Sequence, residues 1–350
     1  MRSLVCKGGI GSITENYEVT DMKVGIIGCG NIAQVHAWAL RGIDEIKMTA
    51  FCDIILKKAE DLAARYANEG SYEVFDDYRA LFKTDVDAVH ICTPHYLHAP
   101  MAFDLLNHGK AVFMEKPCAI SVEQFKALKE ADKRNPNKLG FCFQNRYNES
   151  TMMIDALISE GKIGSVIGGR AFVTWRRDED YYKSSDWKGR LSTEGGGALI
   201  NQSIHTLDLL LRYLGEPEEV KGSVHCHHLH DIEVEDTVEA WMSFADGKRA
   251  CFYASNGYTD DAPVIIEIQG DKGRLMLTGT DIIVWDSATQ CEVIKCEEPK
   301  GLGKGYWGSG HKACIEDFYR CLINRKPFSN NLQSVENTFT VAMKIYKFLP

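Results

Sequence analysis

Residues 24–33 read Val-Gly-Ile-Ile-Gly-Cys-Gly-Asn-Ile-Ala, an apolar run followed by a glycine turn. The turn matches the pattern G-x-G-x-x-A, with Gly28, Gly30 and Ala33 at the defining positions. A strand that ends in such a turn and opens a helix predicts a nucleotide-binding fold, because the helix N-terminus attracts a pyrophosphate. The cofactor contacts predicted at this turn are Gly28, Cys29, Gly30, Asn31 and Ile32.

An acidic side chain, Asp53, follows the second predicted strand at residues 47–52. A carboxylate at this point of the fold can accept a hydrogen bond from a ribose hydroxyl, and it repels a 2′-phosphate. The next residues are Ile54 and Ile55, so no arginine is present there to bind that phosphate. The sequence therefore predicts NAD as the cofactor and disfavours NADP.

Strands and helices alternate through residues 22–145, the predicted first domain. Such alternation gives right-handed crossovers and a parallel sheet with helices on both faces. We therefore predict an α/β fold that begins with a doubly wound Rossmann domain, and we expect residues 1–21 to be an extension outside it. The predicted strands are 24–27, 47–52, 88–92, 111–114 and 139–143, and the predicted helices are 33–41, 55–66, 98–109 and 122–135.

The pattern changes in residues 146–350, which are rich in strands joined by short turns. We predict an α+β domain with a large, open, mostly antiparallel sheet that binds substrate and mediates oligomerisation. Its helices are predicted at 151–160, 198–213, 311–323 and 334–349, and the last two can pack back on the first domain. Its strands are predicted at 165–175, 220–226, 237–244, 250–255, 264–269, 273–278 and 282–285.

The composition limits the possible partners and compartments. The 350 residues carry a formal net charge of -9, which argues against nucleic acid and anionic membranes as partners. No apolar run is long enough to cross a bilayer. The twelve cysteines form no C-x-x-C pair, so we expect reduced thiols in a cytoplasmic protein that acts on a small molecule.

Three further motifs resemble the Gfo/Idh/MocA (glucose–fructose oxidoreductase/inositol dehydrogenase) family. They are CTPHYLH at residues 92–98, EKP at residues 115–117 and GGGALINQSIHTLD at residues 195–208, and the resemblance extends to the stretch at 311–318. The resemblance covers residues 22–350 and implies a Rossmann domain followed by a domain with an open antiparallel sheet. It implies further cofactor contacts at Thr93, Pro94, His95, His98, Glu115 and Lys116.

The resemblance implies hydride transfer between a nicotinamide and a hydroxyl-bearing carbon of a sugar, sugar derivative or cyclitol. Such a reaction needs a group that takes or returns the hydroxyl proton. In the family the lysine of the EKP motif contacts the substrate hydroxyl, and we expect burial and the nicotinamide cation to lower the pKa of Lys116. His205 is the predicted acid/base, because its unperturbed pKa lies near neutrality.

Asn201 and His205 are four residues apart on one predicted helix, so both side chains should lie on one face. The family often has aspartate at the first position. An amide can orient a substrate through hydrogen bonds, but it cannot share a proton. We therefore expect Asn201 to bind and orient the substrate, with a helix-capping asparagine and a packed histidine as the alternative.

Further substrate contacts are predicted at Arg146, Tyr182 and Trp187. Arg146 resembles a family position near cofactor and substrate, with an interdomain salt bridge as the alternative. Tyr182 and Trp187 lie in an aromatic loop that suits sugar C–H surfaces, with packing at an oligomer interface as the alternative. The glycines 195–197 can let the backbone approach a ligand or serve as a flexible lead-in.

No metal site is predicted, because the histidines near residues 225–230 lack a partner with matched ligand spacing. Two other functions remain open: a redox-neutral enzyme that retains NAD while it cleaves or epimerises a glycoside, and a non-catalytic NAD-binding sensor. The open sheet is a self-association surface in the family, so we expect a homodimer or homotetramer.

Overall fold

Two β-sheets organise the chain in the computed structural model, which describes residues 21–67, 70–229, 231–286, 291–296 and 310–347. The predicted extension thus lies outside the described residues except for Asp21. The strands are β1 (Met22–Ile27), β2 (Ile46–Cys52), β3 (Glu73–Phe75), β4 (Ala88–Ile91), β5 (Ala111–Met114), β6 (Leu139–Phe141), β7 (Val166–Thr174), β8 (Glu219–His225), β9 (Thr237–Ser243), β10 (Arg249–Ser255), β11 (Ile265–Gly270), β12 (Arg274–Thr278), β13 (Asp281–Trp285) and β14 (Cys291–Ile294).

The helices flank both sheets. They are α1 (Asn31–Arg41), α2 (Leu56–Tyr66), α3 (His95–Asn107), α4 (Val122–Arg134), α5 (Glu149–Ser159), α6 (Glu179–Lys183), α7 (Leu191–Glu194), α8 (Ile204–Leu214), α9 (His311–Ile323) and α10 (Leu332–Tyr346). Short 3₁₀ turns lie at Tyr78–Lys83 and Gln144–Tyr147. In the described part of the chain, no helix is both long and apolar enough to span a membrane.

The first sheet has the strand order β3-β2-β1-β4-β5-β6, and all its pairs are parallel. Every residue of β4 and β5 is buried, as expected for strands covered by helices on both faces. The strand order reverses between β1 and β4: β2 and β3 lie on one side of β1, and β4 to β6 lie on the other. Ligands of such sheets bind beyond the carboxyl ends of the strands at this point. The predicted Rossmann sheet is confirmed.

The second sheet has the order β14-β13-β12-β11-β7-β10-β9-β8. Its neighbouring pairs are antiparallel except for β7 and β10, which pair in parallel. Buried and exposed positions alternate along β9, because one face packs against α8 and α10 while the other stays open. The predicted open, mostly antiparallel sheet is confirmed.

The helix α9 returns to the first sheet and packs on α1. Phe318 lies in the core beside Phe113 of β5, with their ring centroids 5.1 Å apart. A Cβ at Gly140 would lie 2.6 Å from the Phe318 ring, so β6 needs glycine at that position. The C-terminal part of the chain thus helps to fix the sheet that carries the glycine turn.

The predicted continuous helix over residues 198–213 is wrong. A π-helical turn covers Ala198–Gln202, Ser203 leaves helical geometry at φ -119° and ψ 6°, and α8 begins at Ile204. The buried carboxylate of Glu235 explains the turn, since it accepts hydrogen bonds from the N–H groups of Gly197 and Leu199 at 2.9 and 2.8 Å. Asn201 and His205 therefore lie on two separate helical segments.

Candidate active site

The glycine turn after β1 has the geometry of an anion-binding site. Gly28 has φ +83°, and a Cβ there would lie 2.7 Å from the carbonyl of Cys92. A Cβ at Gly30 would meet no atom within 4 Å. No side chain caps the N-terminus of α1 at Asn31 within the described residues, so its first N–H groups can bind an anion. These residues fit the pyrophosphate of NAD.

Asp53 holds the turn from the end of β2. Its Oδ2 accepts the N–H of Cys29 at 2.8 Å, and its Oδ1 accepts the N–H of Ile55 at 2.9 Å. Each carboxylate oxygen has a second lone pair, so the group can still accept a hydrogen bond from a ribose hydroxyl. Burial, followed by the charge of Asp53, raises the pKa of Cys29 to about 12 and keeps its thiol neutral.

The loop after β4 is fixed by two buried histidines. His98 contacts the carbonyl oxygens of Thr93 at 2.8 Å and Pro117 at 2.9 Å, and so joins the ends of β4 and β5. His95 contacts the carbonyl of Glu194 at 2.9 Å, and burial holds the pKa of its ring well below the usual value. Both rings are engaged with the backbone, so the contacts predicted for Thr93, Pro94, His95 and His98 with the cofactor remain predictions.

Glu115 is the first residue of a buried hydrogen-bond network that the sequence did not suggest. Its Oε1 lies 3.0 Å from Nε2 of His36, whose Nδ1 lies 2.8 Å from Nδ1 of His90, and His90 Nε2 lies 2.9 Å from the hydroxyl of Tyr319. Burial opposes ionisation of Glu115, but the hydrogen bond from His36 and the charges of His36, His311 and Lys116 together outweigh it and hold the pKa of the carboxyl well below its usual range. The EKP carboxylate is therefore an anion tied to α1 and α9.

The same network contains potential metal ligands. Atoms of His36, Glu115 and Cys142 lie within 4.8 Å of one another. Both ring nitrogens of His36 are already in hydrogen bonds, one of them with Glu115 itself. Burial also raises the pKa of Cys142 well above its usual value, so it is a neutral thiol rather than a thiolate ligand. The arrangement is that of a hydrogen-bond network.

Lys116 reaches from the end of β5 to the π-helical turn. It lies two residues after β5 and is joined to Pro117 by a cis peptide bond. Its Nζ donates to the main-chain carbonyl of Asn201 at 2.8 Å and lies 3.4 Å from the Oδ1 of the same residue. Burial lowers the pKa of Lys116, while the charges of Glu115 and Glu194 oppose that shift. The structure thus brings Lys116 and Asn201 together.

His205 lies at the start of α8 with a buried ring nitrogen. Its Nδ1 has no hydrogen-bond partner among the described residues, and its ring packs edge-on against Phe143 with centroids 5.5 Å apart. Burial, followed by the charge of Lys116, lowers the pKa of His205 to about 3. At neutral pH the imidazole is therefore uncharged and can accept a hydrogen bond, but it is a weak base. An unpaired buried nitrogen within electrostatic range of Lys116 suits a ligand-binding position.

Glu194 is the residue of this site that sequence reasoning missed. It ends α7, is 0% exposed, and accepts a hydrogen bond from Nδ2 of Asn201. Burial raises its pKa to about 7. The one available sequence signal was a carboxylate placed directly before the three glycines of residues 195–197.

Comparison with known proteins now adds to this geometry. Residues 22–143 match the family model described as "Oxidoreductase family, NAD-binding Rossmann fold", and residues 151–276 match the "GFO/IDH/MocA C-terminal domain". The chain is 30% identical to inositol 2-dehydrogenase of Rhizobium meliloti over 73% of this chain and 74% of that protein. The chain belongs to the Gfo/Idh/MocA family of NAD-binding oxidoreductases.

The chain is also similar to a second dehydrogenase sequence and to a solved structure. The chain is 32% identical to D-glucoside 3-dehydrogenase of Escherichia coli over 60% of this chain and 58% of that protein. The solved structure of the WlbA dehydrogenase from Bordetella pertussis, in complex with NADH and UDP-GlcNAcA, superposes with a TM-score of 0.81. That match has 24% identity over 94% of this chain and 96% of the other, so it shows a shared fold.

Arg146 has a different setting in this family member from the one predicted. Its Nε and Nη2 donate to the carboxylate of Asp208 at 2.7 and 2.6 Å, and the rest of the guanidinium binds Asn330 and Ser334. All its N–H groups therefore have partners within the protein, and none is left for a substrate. The geometry favours the salt-bridge alternative, although the partner lies in the same predicted domain.

The two aromatic candidates have different surroundings. Trp187 is half-buried against the ring of His95, with centroids 4.7 Å apart, and so borders the loop after β4. Tyr182 is buried in a small cluster with Leu229 and Val234, and its hydroxyl accepts a hydrogen bond from Asn256 at 2.9 Å. Trp187 thus packs on His95, which is in electrostatic range of Lys116, whereas Tyr182 packs in a separate cluster with Leu229 and Val234. Their substrate contacts remain predictions.

Proposed function

We propose that this oxidoreductase is a dehydrogenase that transfers hydride between NAD and a hydroxyl-bearing carbon of a sugar, sugar derivative or cyclitol. The observation that carries the proposal is the contact of Lys116 Nζ with Asn201, in electrostatic range of a neutral His205. The relatives named inositol 2-dehydrogenase and D-glucoside 3-dehydrogenase support this substrate class.

The proposed division of labour follows from the side chains. When bound, NAD supplies the hydride acceptor or donor. Lys116 donates a hydrogen bond to the substrate oxygen and stabilises the negative charge that develops there. The uncharged His205 accepts a hydrogen bond from the substrate hydroxyl and takes its proton as hydride leaves the carbon, when that hydroxyl becomes strongly acidic. The side chain of Asn201 orients the substrate. Glu115 and Asp53 hold the cofactor side of the site.

A substrate screen tests the proposal. Purified protein is incubated with NAD and a panel of sugars, sugar acids, glycosides and inositols, and NADH is followed by absorbance. Accumulation of free NADH with one class supports the dehydrogenase. Turnover of a glycoside without net NADH would instead support the redox-neutral alternative, and NAD binding without turnover of any member of the panel would support the sensor.

We propose NAD rather than NADP as the working cofactor because of Asp53. Its carboxylate is held at the end of β2 by two backbone N–H groups, so it cannot easily swing away from a 2′-phosphate. Ile54, which follows, is 89% exposed and offers no positive charge. The ratio of kcat/KM for NAD and NADP measures the preference directly.

We also propose a homodimer or homotetramer formed through the open face of the second sheet. Trp241 of β9 is 67% exposed on this face, and Tyr253 and Phe172 share it on neighbouring strands. Exposed aromatic patches of this kind mark association surfaces. Sedimentation of a Trp241→Glu variant should show a smaller assembly than the wild type, and an unchanged mass would place the interface elsewhere.

Free thiols support the proposed cytoplasmic location.

A further inference from the structure

The carboxylate of Glu194 is buried next to the two groups assigned above to the substrate. One carboxylate oxygen accepts the Nδ2 hydrogen of Asn201, and the other accepts the N–H of Gly189 at 2.5 Å. An amide whose nitrogen is held by a carboxylate must present its oxygen on the opposite side. That oxygen, Asn201 Oδ1, lies 3.4 Å from Nζ of Lys116. Glu194, Asn201 and Lys116 therefore form one continuous chain of contacts.

The chain of contacts distinguishes Glu194 from its buried neighbour Glu235. The carboxylate of Glu235 accepts hydrogen bonds from two backbone N–H groups of the π-helical turn and from the hydroxyl of Tyr346 at 2.9 Å. Those bonds hold the turn, and none of them reaches Asn201 or Lys116. Glu194 is thus the carboxylate that acts on the side chains of the site.

The surroundings of Glu194 allow it to change charge near neutral pH. Burial raises its pKa to about 7, the N–H of Gly189 and the amide of Asn201 oppose that shift, and Glu235 adds to it. The ionised form in turn raises the pKa of Lys116 against the effect of burial. The titratable and charged groups that face Glu194 from the neighbouring elements are Lys116, Lys188, Glu235, Tyr182, Tyr346 and His95.

We propose that Glu194 is a positioning residue that orients Asn201 and, when ionised, favours the ammonium form of Lys116. The ionised carboxylate keeps Lys116 an ammonium group that can donate to the substrate oxygen. Protonation of Glu194 removes that support and favours the neutral amine. The role in catalysis rests on the proposed function, whereas the coupling between Glu194 and Lys116 does not.

The coupling can be measured without a substrate. Lys116 is labelled with an acylating reagent across a pH series, and the extent is read by peptide mass spectrometry. In Glu194→Gln the labelling profile of Lys116 should move to lower pH by about one unit, because the amide carries no charge. In Glu194→Asp the carboxylate is drawn back by one methylene, so a smaller shift in the same direction is expected.

The matched control is Glu233→Gln. Glu233 is exposed and accepts the N–H of Leu191 at 3.1 Å, so it contacts the other end of α7 without reaching Asn201. Its Lys116 profile should coincide with that of the wild type. An unshifted profile in Glu194→Gln overturns the proposal. If that variant does not fold, an unshifted profile in Glu194→Asp overturns it equally.

The catalytic role is tested with the substrate found in the screen. The wild-type pH profile of kcat/KM should contain an inflection near pH 7 that is absent from Glu194→Gln and present in Glu194→Asp. In Glu194→Gln kcat should fall more than KM rises, and persistence of the inflection contradicts the role. A shifted Lys116 profile in a protein that oxidises no sugar would refute the proposed function while it upholds the coupling.

Discussion

Two glycine-rich segments lead into helices at the two sides of the site, and they have glycine for different reasons. After β1, a Cβ at Gly30 would meet nothing within 4 Å, so the space is open to a ligand. Before the π-helical turn, a Cβ at Gly195 would lie 2.4 Å from Ile120, and one at Gly197 would lie 2.1 Å from the carbonyl oxygen of Glu235. In the first segment, packing requires Gly28, whereas Gly30 leaves space for the cofactor. In the second segment, packing of the protein against itself requires both Gly195 and Gly197.

The largest effect is expected where the two sides meet, at Lys116. Lys116→Met should lower kcat/KM for the substrate by about 10³-fold, because the donor to the substrate oxygen is lost. The affinity for NADH, measured by fluorescence titration, should change much less. Lys312→Met, which removes a half-exposed lysine of α9 that pairs with Glu316, is the control. An equal loss of NADH affinity would place Lys116 on the cofactor side instead.

Substitution of Arg146 tests whether this residue stabilises the fold on the substrate side of the site or binds the substrate. Arg146→Met should lower the free energy of unfolding by about 3–5 kcal/mol, since it leaves the buried carboxylate of Asp208 without its cation. Urea denaturation measures the loss. Arg320→Met, which removes an exposed guanidinium from its pair with Asp317, should cost less than about 1 kcal/mol. Unchanged stability together with a raised KM would restore the predicted substrate contact of Arg146.

Alanine at the glycines tests the comparison directly. Gly28→Ala and Gly195→Ala should each lower the free energy of unfolding by about 1–3 kcal/mol, because both have positive φ and a close neighbour. Gly30→Ala should leave stability within about 0.5 kcal/mol of the wild type. It should nevertheless weaken NADH binding by about tenfold, since only the ligand would meet the new methyl group. A destabilised Gly30→Ala would show that packing shapes both segments.

The same contrast explains how much of the molecule could be predicted from its sequence. The strand pattern around Gly28 and Asp53 is local, so it predicted the first sheet and the cofactor turn. The π-helical turn was not predictable, because the 3.6-residue periodicity runs on through Asn201 while the carboxylate that distorts it comes from Glu235. Glu194 was missed for a related reason. Its role depends on burial by distant segments, and burial leaves no mark on an isolated glutamate.

The smallest expected effect concerns the choice between NAD and NADP. Asp53→Ser should lower the ratio of kcat/KM for NAD over NADP by about tenfold, which corresponds to about 1.4 kcal/mol. The serine hydroxyl can replace only part of the two backbone hydrogen bonds that Asp53 accepts, so affinity for NAD should fall slightly while repulsion of the 2′-phosphate disappears.

Asp77→Ser is the matched control for this change. It removes the same charge from the loop after β3, where Asp77 accepts the N–H of Arg79, and should leave the ratio unaltered. A similar fall in both variants would mean that the overall charge of this edge of the sheet sets the preference. In that case the preference for NAD over NADP would depend on the charged residues along this edge of the sheet and not on Asp53 alone.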